Sequence, residues 1–134
     1  MKKNVLILCT GNSCRSIISE ALINKHFKDS IKAYSAGVNP NSNVNPNAKK
    51  VLKLHNCWSD EYHSKNIEEV LNIKFDLVVT VCNNAKENCP SLYFDCEIIH
   101  IGFDDPDGKN FEEFEKTYQN IKTRLLPKIF NKLS

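Results

Sequence analysis

The stretch Cys9-Thr10-Gly11-Asn12-Ser13-Cys14-Arg15-Ser16 decides the fold of this chain. It follows the apolar run Val5-Leu6-Ile7-Leu8, which predicts a buried strand, and it precedes Ile17-Ile18-Ser19-Glu20-Ala21-Leu22-Ile23, which predicts a helix. The chain therefore passes from a strand through a tight turn into a helix. Turns of this kind bind oxyanions, because their backbone N–H groups converge and the helix N-terminus adds partial positive charge.

The residue types of this anion loop (Cys9–Ser16) suit that role. Gly11 permits the positive φ that tight loops often need. Arg15 can hold a tetrahedral oxyanion through two parallel hydrogen bonds. The same positive surroundings favour the thiolate form of Cys9, which is its nucleophilic form, and Ser16 is placed to cap the helix and donate its hydroxyl to that thiolate. The alternative is a buried structural cysteine near a surface arginine.

Composition narrows the class of protein. The chain has 134 residues, enough for one domain (1–134) with a sizeable core, and its formal charge of +2 argues against a nucleic-acid surface. No apolar run approaches a membrane span. We do not expect Met1-Lys2-Lys3-Asn4 to begin a signal peptide, because the apolar run that follows is short and strand-like. Six cysteines without an export signal favour reactive or metal-binding thiols over a disulfide framework. We therefore expect a cytoplasmic protein. We also expect a monomer, although the sequence leaves the oligomeric state open.

Strand and helix patterns alternate along the chain. The predicted strands are residues 4–9, 32–36, 75–81 and 97–101, and the predicted helices are residues 16–28, 46–54, 65–72 and 111–132. We expect Ser64 to cap the third helix and Pro127 to kink or break the last one. This alternation predicts an α/β fold, with a four-stranded parallel sheet flanked by helices.

Three chemically suggestive positions follow strands of the predicted sheet. Cys9 ends the first strand, Cys82 directly follows the third, and Asp104-Asp105-Pro106 follows the fourth. In parallel sheets the binding site lies beyond the carboxyl ends of the strands. The sequence therefore predicts a nucleophile, a second thiol and a carboxyl group at one edge of the sheet.

The anion loop resembles the Cys-x5-Arg-Ser signature of the low-molecular-weight protein tyrosine phosphatase superfamily. Asp105-Pro106 resembles the general-acid loop of the same superfamily, in which proline stiffens the backbone around the aspartate. The resemblance implies that Cys9 attacks the substrate and that Asp105 protonates the leaving oxygen. Asp104 is the competing candidate, and an ordinary acidic turn is the structural alternative. The implied substrate-binding residues are Thr10, Gly11, Asn12, Ser13, Cys14, Arg15 and Ser16.

A second segment resembles one subgroup of that superfamily, the thioredoxin-coupled arsenate reductases. The segment runs from Val81 to Pro90 and contains Cys82 and Cys89. Further matching segments are Ser35-Ala36-Gly37, Asn45-Pro46-Asn47-Ala48, Phe75-Asp76-Leu77-Val78-Val79-Thr80 and Gly102-Phe103-Asp104-Asp105-Pro106. The resemblance implies arsenate as the substrate and thioredoxin as the electron donor, with a glutaredoxin-like donor left open.

Electron counting agrees with a three-cysteine relay. Reduction of As(V) to As(III) takes two electrons, which two thiols supply when they form one disulfide. The resemblance implies that Cys9 forms an adduct with arsenate, that Cys82 attacks Cys9 and expels arsenite, and that Cys89 then attacks Cys82. The alternative for Cys82 and Cys89 is a pair of small buried apolar residues.

The sequence predicts no metal and no cofactor. Cys82, Cys89 and Cys96 are separated by six residues each, whereas paired zinc ligands usually lie two to four residues apart. Cys57 and Cys96 are expected to be ordinary thiols, and Cys14 is either a loop residue or a partner for Cys9 after over-oxidation.

Some members of the resembling family bind potassium beside the anion loop. Asn12, Glu20 and Ser35 match three of the ligand positions, but Lys65 stands at the acidic fourth position. A lysine opposes a bound cation by charge, so the sequence argues against a potassium site here.

Two other functions stay open. A low-molecular-weight tyrosine or small-molecule phosphatase would use the same anion loop and acid, but an aryl substrate is disfavoured because Asp107 follows Asp-Pro where an aromatic residue would line a phenol slot. A non-catalytic module that senses oxyanions or metals through thiols would not need Asp105.

Overall fold

The computed structural model of the chain describes residues 2–40, 43–81 and 94–133. The strands are β1 (Lys3–Cys9), β2 (Ile31–Gly37), β3 (Leu77–Thr80) and β4 (Glu97–His100). The helices are α1 (Arg15–His26), α2 (Pro46–Leu54) and α3 (Phe111–Leu133), with a 3₁₀ turn at Ile67–Val70. The predicted α/β fold with a four-stranded parallel sheet is confirmed.

Strand β1 lies inside the sheet, whose strand order is β2-β1-β3-β4. Its residues Val5–Leu8 are fully buried, as expected of a parallel strand covered on both faces. Cys9 pairs with Gly37 of β2, and Leu8 pairs with Thr80 of β3. The chain thus leaves β1 at the carboxyl edge of the sheet, between two neighbouring strands. This is where α/β proteins place their binding crevice.

The helices cover the sheet through two different apolar patterns. Helix α1 is buried continuously from Ser16 to Ile23 and packs against both β2 and α3. Helix α3 instead has a one-sided stripe, whose buried members include Phe114, Tyr118, Ile121, Leu125 and Ile129. Spacing of three and four residues puts these side chains on one face, which agrees with the helix predicted over residues 111–132.

The start of α1 differs from the prediction. The helix begins at Arg15, and its N-cap residue Cys14 makes no side-chain capping hydrogen bond. Ser16 therefore lies in the first turn and does not cap the helix. Its hydroxyl instead accepts a hydrogen bond from Asn12 Nδ2 at 2.8 Å, so the helix start is tied to the anion loop by a side chain.

Two further features differ from the prediction, namely the cap of the third helix and the break considered at Pro127. The short helix predicted at 65–72 is a 3₁₀ turn capped by Asn66 and not by Ser64, because Asn66 and Glu69 form a reciprocal capping box. Helix α3 continues through Pro127 to Leu133. Ile129, beyond the proline, is fully buried, so its packing outweighs the loss of one backbone hydrogen bond. In the part of the chain that the structure describes, no helix has the length and apolarity that crossing a membrane requires.

Candidate active site

Asn12 gives the anion loop its shape. Its φ of 49° is left-handed, so the positive φ of the loop falls on Asn12 and not on Gly11, where the sequence predicted it. Asparagine tolerates this conformation better than most residues, and here its side chain is also fixed. Nδ2 donates to Ser16 and Ser35, and Oδ1 accepts the Lys65 N–H at 2.8 Å. Tertiary hydrogen bonds therefore stabilise a conformation that local sequence assigns to glycine.

The end of β2 presses against the anion loop. A Cβ atom at Gly37 would lie 2.6 Å from the carbonyl oxygen of Thr10, so only glycine fits there. Just beyond, the N–H groups of Val38 and Asn39 donate to the carbonyls of Cys9 and Thr10 at 3.2 and 2.9 Å. These contacts fix the nucleophile's segment against the neighbouring strand.

A pocket of about 250 Å³ opens over the anion loop at the carboxyl edge of the sheet. It brings together the predicted nucleophile, the predicted arginine and the predicted acid. Its lining residues are Cys9, Thr10, Gly11, Ser13, Cys14, Arg15, Asn39, Asp105 and Asp107. Asn12 and Ser16, which were also predicted to bind substrate, are fully buried beneath it and support the loop.

Arg15 is held in place but not fully satisfied. Its side chain is 13% exposed, Nη1 donates to the Phe103 carbonyl at 3.0 Å, and Nη2 lies 3.4 Å from Asp105 Oδ2. The buried Nε has no hydrogen-bond partner among the described residues. An unpaired buried donor costs about 1–3 kcal/mol, which an oxyanion bound in the pocket would recover. The guanidinium is thus anchored at one end and available to an anion along another edge.

Asp105 faces Arg15 from a loop on the opposite side of the pocket. Its side chain is 52% exposed, and its Oδ1 accepts the backbone N–H of Asp107 at 3.0 Å. Among the described residues that line the pocket, Asp105 is present and Asp104 is not. The position of its carboxylate therefore favours Asp105 over Asp104 as a proton donor to a bound group.

The two cysteines of the anion loop have different surroundings. Burial raises the pKa of Cys14 to about 12, and the carboxylates of Asp105 and Asp107 add to the rise against the opposing hydrogen bond with Ser13. Cys14 is therefore a protonated thiol at neutral pH, which makes it a poor nucleophile. Cys9 ends β1 on the floor of the same pocket.

Beneath the loop lies a buried polar network. Ser35 Oγ donates to Glu20 Oε1 at 2.6 Å, and burial raises the pKa of Glu20 while the nearby charge of Lys65 opposes that rise. Lys65 Nζ donates to the carbonyls of Ser35 and His63 at 2.9 and 3.0 Å. The positions matched to a potassium site are thus joined by hydrogen bonds, and one of them, Ser35, accepts a hydrogen bond from the Lys65 ammonium group through its carbonyl oxygen.

The remaining cysteines fall into two groups. Cys82 and Cys89, the predicted resolving thiols, lie outside the described residues. Cys57 is buried, with its thiol 3.4 Å from the His55 carbonyl and 3.8 Å from the Tyr118 hydroxyl, and Cys96 is half-buried. Within the described ranges, no group of three or more His, Cys, Asp or Glu residues could hold a metal ion.

Three residues that line the pocket or contact its lining residues were not predicted as site residues from the sequence. Phe103 acts through its backbone carbonyl, which carries no sequence signal. Asn39 lines the pocket from a segment that the sequence marks only as a loop. Asn45 precedes Pro46 and so carries the signal of a helix cap, but its further contact with Asp107, at 2.8 Å, is set by the tertiary fold.

Comparison with known proteins gives consistent results for family and fold. The model of the low molecular weight phosphotyrosine protein phosphatase family matches residues 4–134. An arsenate reductase of Bacillus cereus (strain AH187) is 41% identical over 124 residues, which are 92% of each chain. The solved arsenate reductase from Archaeoglobus fulgidus DSM 4304 is 30% identical, with a TM-score of 0.78 over 90% of this chain and 94% of that one. A low molecular weight protein tyrosine phosphatase from T. tengcongensis is 28% identical, with a TM-score of 0.82 over 98% of this chain and 100% of that one.

Proposed function

This chain belongs to the low molecular weight phosphotyrosine protein phosphatase family, and we propose that it reduces arsenate to arsenite with Cys9 as the nucleophile. The observation that carries the proposal is the buried Arg15 Nε, which lies at the pocket of Cys9 and has no hydrogen-bond partner among the described residues, so that it suits a tetrahedral oxyanion. The resemblance to curated arsenate reductases favours arsenate over other oxyanions.

The first step joins arsenate to the protein. Arsenate oxygens take the Nε and Nη2 donors of Arg15, and the Asp105 carboxyl moves from Nη2 to the leaving oxygen. The Cys9 thiolate attacks arsenic, an As–O bond breaks, and Asp105 gives its proton so that the oxygen leaves as water. Arsenic remains As(V) in the adduct, because this step only exchanges a ligand.

The second stage transfers two electrons. The Cys82 thiolate attacks Cys9 Sγ, and the electron pair of the S–As bond passes to arsenic, which leaves as arsenite. The Cys89 thiolate then attacks Cys82 Sγ, which releases Cys9 as a thiolate and leaves a Cys82–Cys89 disulfide. A dithiol donor of the thioredoxin class reduces that disulfide and is itself oxidised. Two thiols lose the two electrons that arsenic gains.

Hydrolysis of phosphate monoesters is the second candidate function. It needs only Cys9, Arg15 and Asp105, which line one pocket, and a tyrosine phosphatase shares the fold. The carboxylate of Asp107 lies in the same pocket, and it disfavours both an aryl group and an anionic phosphoprotein. We therefore expect phosphate-ester hydrolysis as a residual activity.

Coupled turnover tests the proposal. Arsenate-dependent NADPH oxidation is measured with thioredoxin and its reductase for the wild type, for Cys89→Ser and for the matched control Cys96→Ser. We expect turnover in the wild type and the control and its loss in Cys89→Ser. Hydrolysis of p-nitrophenyl phosphate, measured in parallel, should survive in all three. Ester hydrolysis without any arsenate-dependent oxidation would reject the reductase in favour of the phosphatase.

A further inference from the structure

Asn45 contacts three parts of the site through three different groups. Its backbone N–H donates to the Ser13 carbonyl of the anion loop at 3.0 Å. Its Oδ1 accepts the Asn47 N–H at 2.8 Å, which caps α2. Its Nδ2 donates to Asp107 Oδ1 at 2.8 Å. Asp107 belongs to the acid loop (residues 101–110), which carries the proposed general acid Asp105. One side chain therefore joins the helix start to the acid loop, and its backbone joins both to the anion loop.

The connection continues from Asp107 back to the anion loop. The Asp107 N–H donates to Asp105 Oδ1 at 3.0 Å, and Asp105 Oδ2 pairs with Arg15. The Asp105 side chain is half exposed and lies outside the regular strands and helices, so packing contributes little to the position of its carboxylate, although the adjacent Pro106 is buried. The hydrogen bond from Asp107 and the pair with Arg15 therefore set where that carboxylate lies.

We infer that Asn45 is a positioning residue for the general acid. Its hydrogen bond holds Asp107, and Asp107 in turn holds Asp105. The Asp105 carboxyl group is thereby kept close enough to the anion loop to give a proton to the leaving oxygen. This inference rests on the proposed role of Asp105 as the acid. A displacement of about 1 Å at a catalytic group can cost about a hundredfold in rate, so a single hydrogen bond is enough to matter.

Helix capping alone does not account for the contact with Asp107. The cap needs only the side-chain oxygen and the extended backbone of Asn45, at φ −61° and ψ 131°. Serine caps helices about as well as asparagine, but it is shorter and has no amide to reach Asp107. The variant Asn45→Ser therefore keeps the cap and removes the bond to the acid loop.

Asn66 provides a matched control. It also caps a helical turn, with Oδ1 accepting the Glu68 N–H at 2.9 Å, and within the described part of the chain its side chain has no hydrogen bond to the acid loop. Asn66→Ser thus repeats the same substitution at a cap elsewhere. Asp107→Ala removes the other end of the proposed connection, and the double variant Asn45→Ser/Asp107→Ala tests whether the two act through one bond.

Kinetics and hydrogen exchange together test the inference. We expect Asn45→Ser to lower kcat about tenfold for phenyl phosphate, whose leaving group needs a proton, and less than about twofold for p-nitrophenyl phosphate. KM and the melting temperature should match those of Asn66→Ser. Amide exchange across residues 104–108 should rise in Asn45→Ser and stay unchanged in Asn66→Ser. The double variant should be no slower than the slower single variant.

Each failure has a distinct meaning. Unchanged exchange at residues 104–108 in Asn45→Ser overturns the inference whatever the activity, because exchange does not depend on turnover. Raised exchange with an equal loss of rate for both esters also overturns it, because the acid would then not be affected. Turnover that survives Cys9→Ser while the exchange result holds would instead reject the proposed function and leave the positioning of the loop intact.

Discussion

At the scale of single residues, the anion loop depends on a close backbone approach that sequence reasoning did not detect. In the sequence, Gly37 stands out only as part of a segment that matches the resembling family. The structure shows why glycine is needed there, since a Cβ atom would lie 2.6 Å from the carbonyl oxygen of Thr10. We predict that Gly37→Ala destabilises the protein by about 1–3 kcal/mol and weakens oxyanion binding, because the backbone of the loop must shift. Urea unfolding and competitive inhibition by phosphate measure the two effects. Wild-type values for both would mean that the loop accommodates the methyl group.

Arg15 tests whether shape or charge governs the pocket. Lysine keeps the charge but cannot contact the Phe103 carbonyl, Asp105 and an anion at once through a planar fork. We predict that Arg15→Lys lowers kcat/KM for arsenate by about 10²–10³, a loss typical of removing an oriented donor to a reacting oxyanion. Steady-state kinetics measure it. A loss smaller than about threefold would mean that the planar guanidinium group of Arg15 does not contact the reacting oxyanion.

The two thiols of the anion loop, Cys9 and Cys14, should differ in their rate of alkylation. With the pKa of Cys14 raised to about 12, only ~1 part in 10⁴ is thiolate at pH 8. We predict that iodoacetamide labels Cys9 at pH 7–8, that phosphate protects it, and that Cys14 stays unlabelled until the pH is strongly alkaline. Peptide mass mapping across a pH series distinguishes the two. Labelling of Cys14 at pH 7 would contradict the raised pKa of its thiol.

At the scale of elements, apolar patterns in the sequence predicted the main strands and helices. They did not predict the features that depend on contacts between side chains distant in sequence. The stripe of α3 follows from its spacing, and β1 and β3 follow from their apolar runs. The positive φ at Asn12, the cap at Asn66 and the continuity of α3 through Pro127 depend on partners distant in sequence or on packing. Local propensity cannot include those energies, so local rules failed at these positions.

The junction of α2 and α3 provides a pH test. His55 stacks on Tyr118, with ring centroids 4.0 Å apart, and pairs with Glu115 at 2.8 Å. Burial alone would raise the pKa of Glu115, but the hydrogen bonds from His55 and Gln119 outweigh it and hold that pKa below its ordinary value of 4.5. A lowered carboxyl pKa stabilises the folded state above about pH 4.5, and this stabilisation is lost as the pH falls through the folded-state pKa.

We therefore predict that Glu115→Gln lowers the free energy of unfolding by roughly 0.5 kcal/mol at pH 6–7, because the pair is partly exposed. The difference from the wild type should vanish near pH 3. Glu113→Gln is the control, since Glu113 makes only a longer, more exposed pair with Lys116 at 3.4 Å. Urea unfolding between pH 3 and 7 measures both variants. A difference independent of pH would show that Glu115 acts through packing and not through its charge.

At the scale of the whole molecule, topology accounts for the convergence of the site. Cys9 and Asp105 are far apart in sequence, but parallel strands deliver the segments that follow them to the same edge. The order of strands and helices was enough to predict this convergence. It was not enough to predict Asn45 or the Phe103 carbonyl, because their contacts depend on how the loops beyond the strands lie against each other.

The last prediction concerns the relay as a whole. Without Cys89, the second exchange cannot occur, so Cys89→Ser should release one arsenite per protein molecule and stop. The Cys9–Cys82 disulfide then remains, because the thiol proposed to resolve it is absent. Mass mapping of non-reduced peptides after arsenate treatment detects that bond, and arsenite measured against protein concentration gives the stoichiometry. Cys57→Ser, which removes a buried thiol near Tyr118, is the control and should turn over repeatedly with thioredoxin. Repeated turnover by Cys89→Ser would reject the three-cysteine relay, since the external donor would then be reducing the Cys9–Cys82 bond directly.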